Sequence, residues 1–234
     1  MSLSFFSRLQ AKIEDGEITI TRETNDSIDP RKEKDQIQEK ITNFLTSVSL
    51  VHRKVTFSLI PTGFEIESKG TFYLLAEAGS YSLSGTEVDF IITNKDGQII
   101  AVTKKERMAR QQKLFDLINN YGGDPTALKI LESYKNALDH NEKLLVYLYE
   151  IREALKNHFD NNEEKTIQKL NLDRNQWDKF GKLSNDPSIK QGRHNKEISV
   201  NSRDITERER NSALSFAQTM IENFLCYLRQ NGNK

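Results

Sequence analysis

The residues of this chain best suited to chemistry are Gly192, Arg193 and His194, within the segment Q-W-D-K-F-G-K-L-S-N-D-P-S-I-K-Q-G-R-H-N-K from Gln176 to Lys196. Glycine permits close backbone approach, arginine is a permanent cation suited to phosphate, and histidine titrates near neutral pH and can carry a proton. Together they point to metal-independent phosphodiester cleavage. His194 would act as general acid or base toward a 2′-hydroxyl and Arg193 would oppose the phosphate charge. The same segment holds the only tryptophan and five Lys or Arg against two Asp. Asn185, Lys190, Gly192 and Asn195 are therefore candidate binding residues beside the candidate catalytic pair.

A second basic run, K-K-E-R-M-A-R-Q-Q-K, opens a helical pattern at Lys104. Its Lys104, Lys105, Arg107 and Arg110 are candidate phosphate contacts, which such side chains supply by charge alone. The remaining histidines, His52, His140 and His158, stand isolated, without H-x-x-x-H or carboxylate spacing, so neither a metal nor a cofactor is expected. One cysteine, Cys226, excludes an intrachain disulfide framework and a cysteine-rich zinc site, and fits a reducing, cytoplasmic compartment. The 34 basic and 34 acidic residues cancel, so a nucleic-acid contact would have to be a local patch. The start M-S-L-S-F-F-S-R-L has no basic leader, and no stretch approaches the ~20 apolar residues of a bilayer span. The chain reads as neither secreted nor membrane-spanning.

The elements that must position these residues fall into two parts. With 36% hydrophobic and 29% charged residues over 234 positions, the chain can bury a core. Asp29 and Pro30 are placed to open a helix that runs to about Val51, with Ile37, Ile41, Phe44, Leu45 and Val48 on one face. Residues 53–103 alternate β-branched or aromatic residues with polar ones, punctuated by P-T-G, S-K-G and N-K-D-G turns, and predict an antiparallel sheet of four to six strands. Tyr121-Gly122-Gly123-Asp124-Pro125 predicts a boundary. Beyond it, apolar stripes at Leu128, Leu131, Tyr134, Leu138 and at Leu144, Leu145, Leu148, Ile151, Leu155, Phe159 predict an antiparallel helical hairpin. Asp173 with Gln176, and Thr206 with Glu209, predict capping boxes for two later helices. The expected class is thus α+β: an N-terminal antiparallel sheet with flanking helices over 1–121, then a four- or five-helix bundle over 124–234.

A bundle of this size, with an Arg-His element at the mouth of its last long helix, resembles the HEPN superfamily, helical domains of prokaryotic defence and toxin systems that often dimerise. The resemblance covers roughly residues 124–232 and implies a homodimer, with RNA or a partner protein as ligand, in a defence or stress setting. Catalytic members set the arginine and histidine four to six residues apart on one helix, facing a dimer cleft. Here Arg193 and His194 are adjacent and precede the helix, and on a helix neighbours would diverge by about 100°. The resulting expectation is a non-catalytic binding module, with a ribonuclease using Arg193 and His194 as the alternative.

Overall fold

A computed structural model describes the side chains of residues 35–36, 38–51, 105–194 and 202–231, and otherwise only the backbone of elements lying outside those ranges. The fully described part is 81% helical and contains no strand and no sheet, which overturns the predicted α+β class: over its described residues the protein is all-helical. Elsewhere the backbone runs in antiparallel ladders. One joins Ser2–Phe6, Leu9–Glu14, Glu17–Glu23, Thr71–Gly79 and Ser58–Glu67 in that spatial order, and the other joins Ile91–Thr93 to Ile99–Val102. The expectation erred because alternation records only that every second residue is apolar, whereas a packed sheet also needs partners that sequence pattern does not specify.

Two units divide the chain, one of Met1–Leu45 with Lys54–Gly85 and one of Thr46–Arg53 with Thr86–Lys234. The first contains most of α1 (Pro30–Val51), whose bounds match the Pro30 start and Val51 end read from the sequence. Asp29, its expected cap, lies outside the described residues.

The second unit takes in the end of α1 and contains α2 (Thr103–Tyr121), α3 (Pro125–Asp139), α4 (Leu144–His158), α5 (Glu163–Lys169), α6 (Arg174–Asn185) and α7 (Glu207–Asn231). The Gly-Gly-Asp-Pro step turns α2 into α3. Asp124 accepts hydrogen bonds from the backbone N–H groups of Thr126 (2.8 Å) and Ala127 (3.0 Å), while Pro125 occupies a first-turn position where no N–H is needed. The α3 stripe is displaced from the one expected. Ala127, Ile130, Tyr134 and Ala137 are buried, while Leu128 is 56% exposed. Reading α3 by its leucines put the contact face one residue too far along, because alanines give little hydrophobic signal yet let helices approach closely.

Helix α7 is the spine, packing on α2, α3, α4 and α6. Its Leu214, Ala217, Met220, Ile221, Phe224 and Leu225 are all at most 1% exposed within the single chain. This stripe is therefore filled by the protein's own core. Its start is fastened by the expected box: Thr206 N–H donates to Glu209 Oε2 (2.9 Å) and Glu209 N–H donates to Thr206 Oγ1 (3.3 Å). Arg203 adds two bonds of 2.8 Å to the same carboxylate.

Hydrogen bonds from Arg203 and then from Thr206, outweighing the opposing effect of burial, hold the Glu209 carboxyl down to about 2 from its ordinary 4.5. Because the folded value is depressed, the stabilisation is complete above the ordinary value and drains away as pH falls from about 5 through about 2. Glu209→Gln is expected to lower the unfolding midpoint near neutral pH and to flatten the loss of stability between pH 5 and 2. Unfolding curves across that range, followed by the single tryptophan, check it.

Candidate functional site

The Gln176 to His194 segment is far more fixed than a polar loop. Helix α6 starts at an Asp173 cap, whose side chain accepts from Gln176 N–H at 2.7 Å. It ends at Asn185, just before the Asp186-Pro187 step. Asp186 then folds the chain back by accepting from Ser188 N–H (2.9 Å) and Ser188 Oγ–H (2.7 Å), bonds that hold its carboxyl below the ordinary range. Ile189 is fully buried. The next residues are stitched to the chain ahead of α7: Lys190 N–H donates to Arg203 C=O (3.0 Å), and Arg203 N–H donates to Ser188 C=O (2.8 Å). Gln191, 7% exposed, donates to Asp204 Oδ1 and accepts from Ile205 N–H, each at 3.0 Å.

Gly192 sits in this turn for lack of space. A Cβ there would lie 3.1 Å from the carbonyl oxygens of both Asp186 and Ile189. Its role is thus to let three backbone segments meet, with no anion cradle required. The Arg193 N–H that follows donates to the Ser184 C=O at the end of α6 (3.0 Å).

Arg193 and Asn185 are brought together. Arg193 Nη1 donates to Asn185 Oδ1 at 3.3 Å, and its guanidinium carbon lies 3.9 Å from the centre of the Tyr149 ring on α4. A second guanidinium, Arg152, lies 5.4 Å from the Tyr149 ring and 4.5 Å from the ring of Trp177 on α6. Arg152 is 9% exposed and donates to Glu163 Oε2 at 2.8 Å. Burial raises the Glu163 carboxyl, but the Trp177 indole, Arg152 and Arg174 together outweigh it and leave the group below its ordinary range. The indole Nε1 of Trp177 faces Glu163 closely enough to exert that pull yet falls short of hydrogen-bond geometry.

Helix α6 reaches α4 this closely because position 181 is glycine. A Cβ there would press inside van der Waals contact with Arg152 Nη1 and lie 3.1 Å from its Cζ. Tyr149, Arg152 and Gly181 escaped the sequence reading. A signal was present in Gly181, an isolated glycine inside a helical pattern, which costs about 1 kcal/mol against alanine and so calls for a packing reason. Arg152 was hidden by its neighbour Ile151 in the apolar stripe.

The other candidates are dispersed. His194 is exposed and makes no hydrogen bond or ion pair with the described residues. Lys190 donates to Asp204 Oδ2 (3.1 Å). Asn195 lies outside the described residues, as does the side chain of Lys104. Lys105 is exposed, Arg107 is half-buried, and Arg110 with Lys113 grips Glu222 of α7 at 3.1 and 3.0 Å. The basic run thus supplies two of its cations to the α2–α7 contact. Arg110→Ala is expected to lower stability by no more than about 1 kcal/mol in unfolding titrations, since the pair is partly solvated.

Among the described residues no group of three or more His, Cys, Asp or Glu could hold a metal ion, and no helix is long and apolar enough to cross a membrane. No family model, curated protein or solved structure matches the chain.

Proposed function

We propose that the helical part is a non-catalytic binding module of HEPN-like build, acting in the cytoplasm on a macromolecular partner. The observation that carries this reading is the engagement of Arg193. Its guanidinium is stacked on Tyr149 and bonded to Asn185, while the adjacent His194 is exposed and makes no hydrogen bond or ion pair among the described residues. Phosphodiester cleavage needs a proton carrier and a charge stabiliser converging on one scissile group. Arg193 is exposed but engaged by Tyr149 and Asn185, His194 sits beside it on the chain, and Arg110 and Lys113 of α2 are tied to Glu222.

Self-association through the α7 stripe is not part of this reading, because that stripe is buried in the chain's own core. The test is a single-turnover incubation of end-labelled single-stranded RNA with excess protein in chelator, wild type beside His194→Ala. The two are expected to leave the RNA equally intact from pH 5 to 8. Product formed by wild type and lost in His194→Ala would overturn the assignment in favour of a ribonuclease.

A further inference from the structure

We propose that the cleft between α6 and the first turns of α7 is the docking site of the module, and that it takes an acidic peptide segment anchored by an aliphatic side chain. The proposal rests on the binding-module reading and adds the site and the partner. The cleft has a volume of about 280 Å³ and is open on one side, with Lys179 and Arg208 at its rim and Phe180, Leu183, Ala213 and Phe216 as its apolar wall.

Charge is the first argument. Several cations of the neighbouring elements are matched: Arg174 by Glu163, Glu164 and Asp178, Arg203 by Glu209, and Lys190 by Asp204. Lys179 and Arg208 are exposed and form no ion pair among the described residues. The one carboxylate lining the cleft, Glu209, is already held by Arg203 and by Thr206. The rim therefore presents two uncompensated positive charges, which favour an anionic ligand and disfavour a cationic one.

The wall decides between kinds of anion. Single-stranded nucleic acid binds by laying bases on exposed aromatic faces. Phe180 and Phe216 pack against each other with centres 5.6 Å apart at a 55° tilt, and are only 3% and 4% exposed, so neither offers a free ring face. What remains accessible on the apolar side is chiefly the half-buried Leu183, an aliphatic contact. At 280 Å³ the cleft lies just under the ~300–1,000 Å³ of small-molecule and cofactor pockets, a size for one or two side chains. A groove between two helices with apolar wall and cationic rim matches an acidic amphipathic segment presenting anchors at i and i+4.

The probe is a fluorescein-labelled peptide of Glu, Ser and Leu with two leucines four residues apart, read by fluorescence anisotropy. Its comparisons are the same peptide with Ser for Leu, the same with Lys for Glu, and an oligouridylate of equal charge. Wild type is expected to bind the Glu/Leu peptide at least tenfold more tightly than each comparison, and raised salt should weaken it. Lys179→Glu with Arg208→Glu is expected to lose at least tenfold, and the milder Lys179→Gln with Arg208→Gln a smaller part. Both pairs should keep the tryptophan emission and unfolding midpoint of wild type, because the two side chains hold no ion pair to break.

No binding of the Glu/Leu peptide, equal binding by the charge-reversed protein, or tighter binding of the oligouridylate would overturn the proposal. So would a concentration-dependent rise in mass of the protein alone that the charge reversal abolishes, since the occupant would then be a second copy of this chain. RNA cleavage by wild type, by contrast, would overturn the non-catalytic reading whatever the peptide does.

Discussion

Gly181→Ala is expected to destabilise the protein by about 2–3 kcal/mol, an unusually large effect for a substitution that, on an exposed helix, would gain about 1 kcal/mol. The added methyl collides with the guanidinium of Arg152. An arginine head normally swings away at little cost. This one is 9% exposed, bonded to Glu163 and within cation–π reach of both Trp177 and Tyr149, so displacing it breaks all three contacts together. Combining Gly181→Ala with Arg152→Ala removes the collision, so the double variant should be less destabilised than the sum of the singles, by 1 kcal/mol or more. Denaturant titration followed by Trp177 emission measures all three. Strict additivity would mean that Gly181 and Arg152 do not compete for space.

Arg152→Ala alone is expected to cost about 3 kcal/mol. It opens a gap beside the fully buried Trp177 and leaves the Glu163 carboxylate with only the Arg174 pair at 3.3 Å. Removing one partner of a buried pair is worth about 3–5 kcal/mol, and the 30% exposure of Glu163 puts this case at the lower end. Arg152→Met keeps much of the stem and removes the Nε, a buried donor without a partner, so it should recover about half of the loss. If Met and Ala variants unfold alike, the charge contributes and the packing does not. The same titration distinguishes them.

The helical half was legible to the extent that its information is local. Caps at Asp124, Asp173 and Thr206 need only residues two or three positions away, and each forms in the structure. Long apolar periods such as that of α7 carry enough repeats to mark one face. The sheet was read from short alternations, which do not say what covers either face, and none of its side chains lies among the described residues. At the candidate site, residue types suggested Arg193 as a free cation, because nothing nearby in sequence can neutralise or stack it. Its partner, Tyr149, is forty-four positions earlier and meets it only once α4 and α6 pack. The α6–α7 cleft was invisible for the same reason: Lys179 and Arg208 come from elements that adjoin only in the fold.

The measurement that tests the central claim most directly is a double-mutant cycle on Arg193 and Tyr149. If the Arg193 guanidinium belongs to the bundle, Arg193→Ala and Tyr149→Leu should each destabilise, and their coupling should be about 0.5–1 kcal/mol, the worth of a cation over a ring at a partly exposed site. Arg193→Lys should recover part of the stacking without the bond to Asn185. A coupling of zero, with Arg193→Ala as stable as wild type, would show that Arg193 is not held by Tyr149 and is free to meet a phosphate, and the non-catalytic assignment would lose the observation on which it stands.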